Sequence, residues 1–188
     1  KSMIDLNRHQ EVLLELLHEF DRVCKKNDIP YVMFCGSALG AVRHNGIIPW
    51  DDDLDVSMLR SDYERFLKVA PADLNDKYYL QAEGSKHWTM NFSKLRKNNT
   101  TYLEKFHPKD NKMHQGIYID IFPCDNASDK EWIRKVQFYA SRIALAKSLW
   151  KRGYKTNSNK KKFFMLFCCL LPSKPFLKIA MLKKKINS

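Results

Sequence analysis

At 188 residues, 44% hydrophobic and 29% charged, the chain is long enough to bury a core and ordinary for a globular domain. No apolar run reaches the roughly 20 residues that span a bilayer, and the five cysteines form no Cys-x-x-Cys pair and no zinc-ligand spacing. The net charge of +12 is unevenly placed: residues 126–188 carry 16 Lys+Arg against 2 Asp+Glu, whereas residues 1–125 carry 17 against 19. A basic character confined to the C-terminal third points to an anionic partner there and not to a basic N-terminal part. The odd cysteine count without a framework implies reduced thiols and a cytoplasmic setting. The first residues show no secretory signal, and because the chain opens on Lys1 its natural start is expected upstream.

The first element is a helix over 5–27. Leu6, Leu13, Leu16, Leu17, Phe20, Val23 and Cys24 recur at three- and four-residue steps. His9 and His18, without ligand partners nearby in sequence, read as surface histidines. Asp28-Ile29-Pro30 ends the helix, and 31–35 reads as a strand broken by Gly36-Ser37. A short helix over 38–44 follows, closed by Asn45-Gly46. A Gly-Ser turn opening a helix offers free backbone N–H groups and a positive dipole end, a setting for phosphate that Gly36 leaves open to close approach.

Four of the five residues 51–55 are aspartates. Like charges about 4 Å apart repel by roughly 4 kcal/mol at an effective dielectric near 20, so such a cluster is either fully solvated or holds a cation. Leu54, Val56 and Met58 alternate with Asp53, Asp55 and Ser57, the period of a half-buried strand. Asp53 and Asp55 therefore share one face, which suits a hard cation such as Mg2+ (or Mn2+).

Ser61-x-x-Glu64 predicts a capping box and a helix to Ala70, closed by Pro71. Strands are predicted over 78–82 and 90–96, with a hairpin arm over 100–104 and a polar loop over 105–115. A further strand covers 116–123. There Ile117, Ile119 and Ile121 take one face and Tyr118, Asp120 and Phe122 the other. An aspartate in such a strand is costly unless it is hydrogen-bonded to a nearby loop or bound to metal, and both readings are open from the pattern alone. Ser128-x-x-Glu131 predicts a second capping box and a helix to Arg152, with a stripe of Trp132, Val136, Tyr139, Ala140, Ile143 and Trp150. A basic linker over 154–162 leads to the apolar run 163–171. A run this short reads as a helix buried on the core in preference to an interfacial membrane contact. A last short helix is predicted over 175–185.

Strand, Gly-Ser, short helix, then Asp-x-Asp on a strand is the layout of the nucleotidyltransferase superfamily. The string Gly-Ala-Val-Arg-His-x-Gly-x-Ile-Pro-Trp-Asp-Asp-Asp-x-Asp, with Gly-x-x-x-Asp-Ile-Phe-Pro further on, resembles the LicD family over roughly residues 5–125. The resemblance implies transfer of phosphocholine, or of a related phospho-alcohol, from CDP-choline or another CDP-alcohol. The acceptor would be a sugar hydroxyl of a glycan or lipid-linked glycan, with CMP released, as in lipopolysaccharide or teichoic acid modification. It also selects Asp120 as the third acid, so that Asp53, Asp55 and Asp120 form the catalytic, metal-holding set, with Asp120 also a general base. Asp51 is a further metal ligand or a solvated turn residue, and Asp52 an orienting acid or likewise solvated. Gly36 and Ser37 would hold phosphate. Arg43 has two open roles, a phosphate clamp or an ion pair with Asp51 or Asp52. Trp50 stacks on a base, covers choline or belongs to the core. Lys94 and Arg96 face either the diphosphate or solvent.

The expected architecture is α+β: a nucleotidyltransferase-like core over 1–125 with a mixed sheet, and a basic helical part over 126–188 packed on it. The basic part is expected near anionic lipid on the inner face of the membrane, and no nucleic-acid partner is expected. Two rival readings remain: a nucleotidyltransferase that delivers NMP, and a non-enzymatic basic module for membrane or nucleic acid. Against its resemblance the chain is short at the C-terminus, so part of the acceptor site is expected beyond it.

Overall fold

Amphipathic periodicity sets the first element. Helix α1 spans Leu6–Lys26 in the computed structural model, which describes residues 5–103, 113–154 and 156–180. Asp5 caps it by accepting from the Arg8 N–H, and Lys25 and Lys26 sit at the negative end of its dipole. Its stripe of Leu13, Leu16, Phe20, Val23 and Cys24 is buried. Strand β1 (Val32–Met33) leads into helix α2 (Cys35–His44), and strand β2 (Asp55–Leu59) is followed directly by helix α3 (Arg60–Asp73). Strands β3 (Tyr78–Gln81), β4 (Ser93–Lys97) and β5 (Tyr118–Cys124) complete a five-stranded sheet in the order β1-β2-β5-β4-β3. Only β2 and β5 run parallel. The result is the mixed α+β architecture expected for a nucleotidyltransferase-like fold.

One face of the sheet makes the core. Val56 and Met58 of β2, Leu95 of β4 and Ile119 and Ile121 of β5 cluster with the α1 stripe and with Tyr63, Phe66 and Ala70 of α3. Side chains alternate across a strand, so the opposite face is left with Asp55 on β2, Asp120 on β5 and Lys94 on β4. Burial of the isoleucines and leucines thus dictates where the acids point.

The described chain forms two compact units. The first comprises residues 5–88, 92–103 and 113–124, with the sheet and α1 to α3; the second comprises 89–91 and the described residues from 125 onward. The second unit holds helices α4 (Glu131–Lys151), α5 (Asn159–Leu170) and α6 (Ser173–Ala180), with α5 and α6 both packed on α4.

Several boundaries differ from the sequence reading. Neither capping box forms. The N-cap residues of α3 and α4 are Leu59 and Lys130, and Ser128 Oγ instead accepts from the Lys130 N–H. Helix α3 also runs through Pro71 to Asp73. A proline in the last turn removes one hydrogen bond close to an end that frays in any case. Residues 100–103 form no strand; Glu104 of the expected hairpin arm, residues 105–112 of the expected loop and residues 181–185 of the last helix lie outside the described residues. The predicted α4 stripe holds only at Ala140, which is buried, and Ile143, which packs on the helical cluster. Trp132, Val136, Tyr139 and Trp150 are exposed, and the buried side is Gln137, Ala140, Ala144, Ala146, Lys147 and Ser148, because α5 and α6 pack closely against small residues. Helix α5 is not buried all round: Met165 and Cys168 are covered, while Phe163, Phe164, Leu166, Phe167 and Leu170 are exposed.

Candidate functional site

Strand register assembles the centre of the site. Parallel pairing of β2 with β5 sets Asp55 opposite Asp120, and antiparallel pairing of β5 with β4 sets Asp120 opposite Lys94. Three charged residues from three strands therefore lie in one row across the sheet. Lys94 Nζ is 2.9 Å from Asp120 Oδ1. Its ammonium also sits 3.1 Å from the centre of the Tyr118 ring, with Trp88 and Phe92 further out. Lys94 is only 2% exposed, so its charge is supported by the carboxylate and the aromatic faces and not by water.

The acidic turn before β2 is held by side chains from distant elements. Gln10 of α1 donates through Nε2 to the carbonyls of Ile48 (3.0 Å) and Asp51 (2.8 Å). His9 Nε2 bonds the Asp52 carbonyl at 2.8 Å, and the Tyr102 hydroxyl donates to Asp52 Oδ2 at 2.9 Å. The Asp55 N–H donates to Ser37 Oγ at 2.8 Å. Gly40 admits the turn: a Cβ there would lie 2.6 Å from the Gly46 carbonyl and 3.1 Å from the Ile48 nitrogen. A Cβ on Gly36 would lie 3.2 Å from Asp51 Oδ2, so the Asp51 carboxylate rests against the first turn of α2, where the dipole favours a negative charge. Beside these clamps a groove of about 550 Å3 is lined by residues of α1 and of 97–102, with His9 and Tyr102 in its wall.

The electrostatics are those of crowded acids. Asp51, Asp52 and Asp53 each bring a carboxylate oxygen within 4.8 Å of the others. Partial burial, then the charge of Asp51 and a hydrogen bond with it, then Asp52 and Asp120, push Asp53 up to about 6. Asp55 is pushed up to about 7 by burial, by Asp120 and by Asp53, against the opposing pull of Lys94. The charge of Asp120 thus reaches both Asp53 and Asp55. An all-oxygen donor set of carboxylates that resist ionising beside one another matches a hard divalent cation in ligand type and charge.

The expected site residues divide between those the fold brings together and those it sends elsewhere. Asp51, Asp52 and Asp53 gather at the turn before β2, while Asp55, Asp120 and Lys94 stand in the cross-strand row; Lys94 is buried against Asp120, so its solvent-facing alternative is excluded. Arg96 is fully buried, and its guanidinium donates to Gln81 Oε1 (2.7 Å) and the Gly116 carbonyl (2.8 Å). That corrects both alternatives open to it, since it serves the β3–β4–β5 framework. The oxygen of Ser37 is engaged by the Asp55 N–H, which makes this residue the anchor of the acidic strand. Arg43 is exposed on the last turn of α2 and forms no ion pair with Asp51 or Asp52 among the described residues. Trp50 is 75% exposed with its ring edge-on to His44, so it is not core. His9, read as a surface residue, is buried. The contributions of His9 and Gln10 had no signal in sequence, because their partners lie on a turn whose path only the fold defines; Gly40 opens the quoted motif string, but its role in admitting the turn appears only in the fold. The five cysteines are free of disulfides, and burial pushes the Cys24 thiol up to about 12.

Comparison with known proteins gives the family. The family model for the LicD/FKTN/FKRP nucleotidyltransferase domain matches residues 28–164. The lipopolysaccharide cholinephosphotransferase LicD of Haemophilus influenzae is 38% identical over 78 residues, which are 42% of this chain and 29% of that protein. Uncharacterized proteins of Rickettsia typhi and Rickettsia prowazekii are 42% and 41% identical over 59 residues, 31% of this chain and 19% and 22% of theirs. The matched region therefore spans less than a third of each of these curated relatives.

Proposed function

The chain belongs to the LicD/FKTN/FKRP nucleotidyltransferase-domain family, and from that membership we propose that it transfers phosphocholine, or a related phospho-alcohol, from a CDP-activated donor to a sugar hydroxyl of a glycan precursor, releasing CMP. The observation that carries this reading is the row Asp55–Asp120–Lys94, set by register beside the acidic turn. Asp53, Asp55 and Asp120, with Asp51, are the residues that would hold Mg2+ or Mn2+. When bound, such an ion supplies charge neutralisation for a diphosphate and polarises the phosphorus under attack.

The protein's own groups do the rest. Lys94 fixes the direction of Asp120, the acid assigned to take the proton of the attacking hydroxyl. Gly36, which leaves room for the Asp51 carboxylate at the first turn of α2, would admit a phosphate oxygen there beside a cation held by that carboxylate. Arg43, exposed on the last turn of the same helix, would add a charge-assisted hydrogen bond. Trp50, exposed apart from its edge-on contact with His44, would offer its ring to a base or to a quaternary ammonium. Arg96 has no direct contact in this scheme.

The test is incubation of the protein with CDP-choline, CDP-ribitol and CDP-glycerol in the presence of Mg2+, followed by CMP detection and by calorimetry for binding. One donor is expected to bind and to release CMP, and Asp53→Asn is expected to abolish release. A nucleotide retained in the product would make the enzyme a nucleotidyltransferase in the strict sense. Absence of binding to every CDP-alcohol would remove the donor class.

A further inference from the structure

Helix α5 is apolar on two opposite sides, and only one of them is covered. Met165 and Cys168 pack with Ala146, Ile143 and Leu149 of α4. Phe163, Leu166, Phe167 and Leu170, three and four residues apart, form one stripe on the other side. They are exposed by 74%, 49%, 54% and 80%. Folded proteins seldom leave so continuous an apolar stripe in water without a partner for it. The same helix opens with Lys160, Lys161 and Lys162, all exposed, within a segment that carries 16 Lys+Arg against 2 Asp+Glu over residues 126–188. At 12 residues it is about 18 Å long, short of the roughly 30 Å hydrocarbon layer. No described helix is long and apolar enough to cross a membrane.

We propose that this stripe docks the protein on an anionic phospholipid bilayer. Helix α5 lies in the plane of the interface, with Phe163, Leu166, Phe167 and Leu170 at the acyl boundary and the three lysines among the headgroup phosphates. The lysine stems add apolar contact while their ammonium groups reach the phosphates. Charge selects lipid over a second copy of the chain, because self-association through this face would bring two strongly basic segments together. The inference is independent of the transfer reaction, and its test reads binding alone.

The experiment is cosedimentation of the protein with phosphatidylcholine vesicles, with and without phosphatidylserine, at low and high salt. Binding is expected to be at least about tenfold tighter with phosphatidylserine and to weaken in salt. The double substitution Phe163→Ser with Phe167→Ser is expected to lose about tenfold or more on both vesicles, with helical content and Mn2+ binding unchanged. Lys160→Glu with Lys161→Glu is expected to remove the preference for phosphatidylserine. Equal vesicle binding by the wild type and the Phe163→Ser/Phe167→Ser protein would overturn the proposal. So would a lipid-free dimer that the same pair of substitutions dissolves.

Discussion

At the scale of single residues, the acidic site is a place where stability and binding pull apart. Asp53 and Asp55 have folded-state pKa values raised from the ordinary 3.8 to about 6 and about 7. A carboxyl shifted upward favours folding while it is protonated. Its contribution is therefore present below pH 4 and is lost as pH rises through 6 and 7, as the unfolded chain becomes the better acid. A Mg2+ ion held at these acids, as proposed, would favour the ionised forms and reverse that loss. Thermal melts should accordingly show Mg2+ raising Tm more at pH 8 than at pH 5, and Asp55→Asn should shrink the difference. Equal Mg2+ effects at the two pH values would contradict the placement of the cation among these acids. Lys94 shows how much of the site the sequence left open. A lysine alternating with Leu95 on a strand faces either the diphosphate or solvent by pattern alone, and its cross-strand neighbour Asp120 and the Tyr118 ring explain its burial.

At the scale of elements, period-2 alternation made the acid-bearing face legible in advance. Val56 and Met58 on one strand and Ile119 and Ile121 on another fix which way Asp55 and Asp120 point. Pairing between β2 and β5 was not legible, since it depends on a parallel contact across more than sixty residues. Nor were the clamps: Gln10 lies 41 residues from Asp51 and His9 lies 43 from Asp52, and a polar residue on an amphipathic helix ordinarily faces water. The α4 stripe misled for a related reason. Close helix packing selected its alanines for burial and left its aromatics outside. The clamp yields its own prediction. Gln10→Ala removes two hydrogen bonds from the acidic turn and should weaken Mn2+ binding severalfold while costing about 1 kcal/mol of stability. An unchanged Mn2+ affinity in calorimetry would show that the turn holds its shape without α1.

At the scale of the whole molecule, charge is partitioned between two units. The unit that contains the sheet concentrates carboxylates at one turn, and the helical unit carries the basic excess and the uncovered apolar stripe. The family, the mixed sheet and the acid cluster could be read from two short motifs. The exposed side of α5 could not, because an apolar run of that length reads first as a core helix. The proposed function depends on a cation held by the acids of β2, of β5 and of the turn before β2. The most direct measurement is a Mn2+ titration followed by electron paramagnetic resonance, comparing the wild type with Asp55→Asn and recording a metal-free melt of each. Asp55→Asn should bind Mn2+ at least about tenfold more weakly, as expected on losing a carboxylate ligand, while its metal-free Tm at pH 8 rises because a raised acid has been removed. Mn2+ bound with wild-type affinity by Asp55→Asn would place the cation elsewhere.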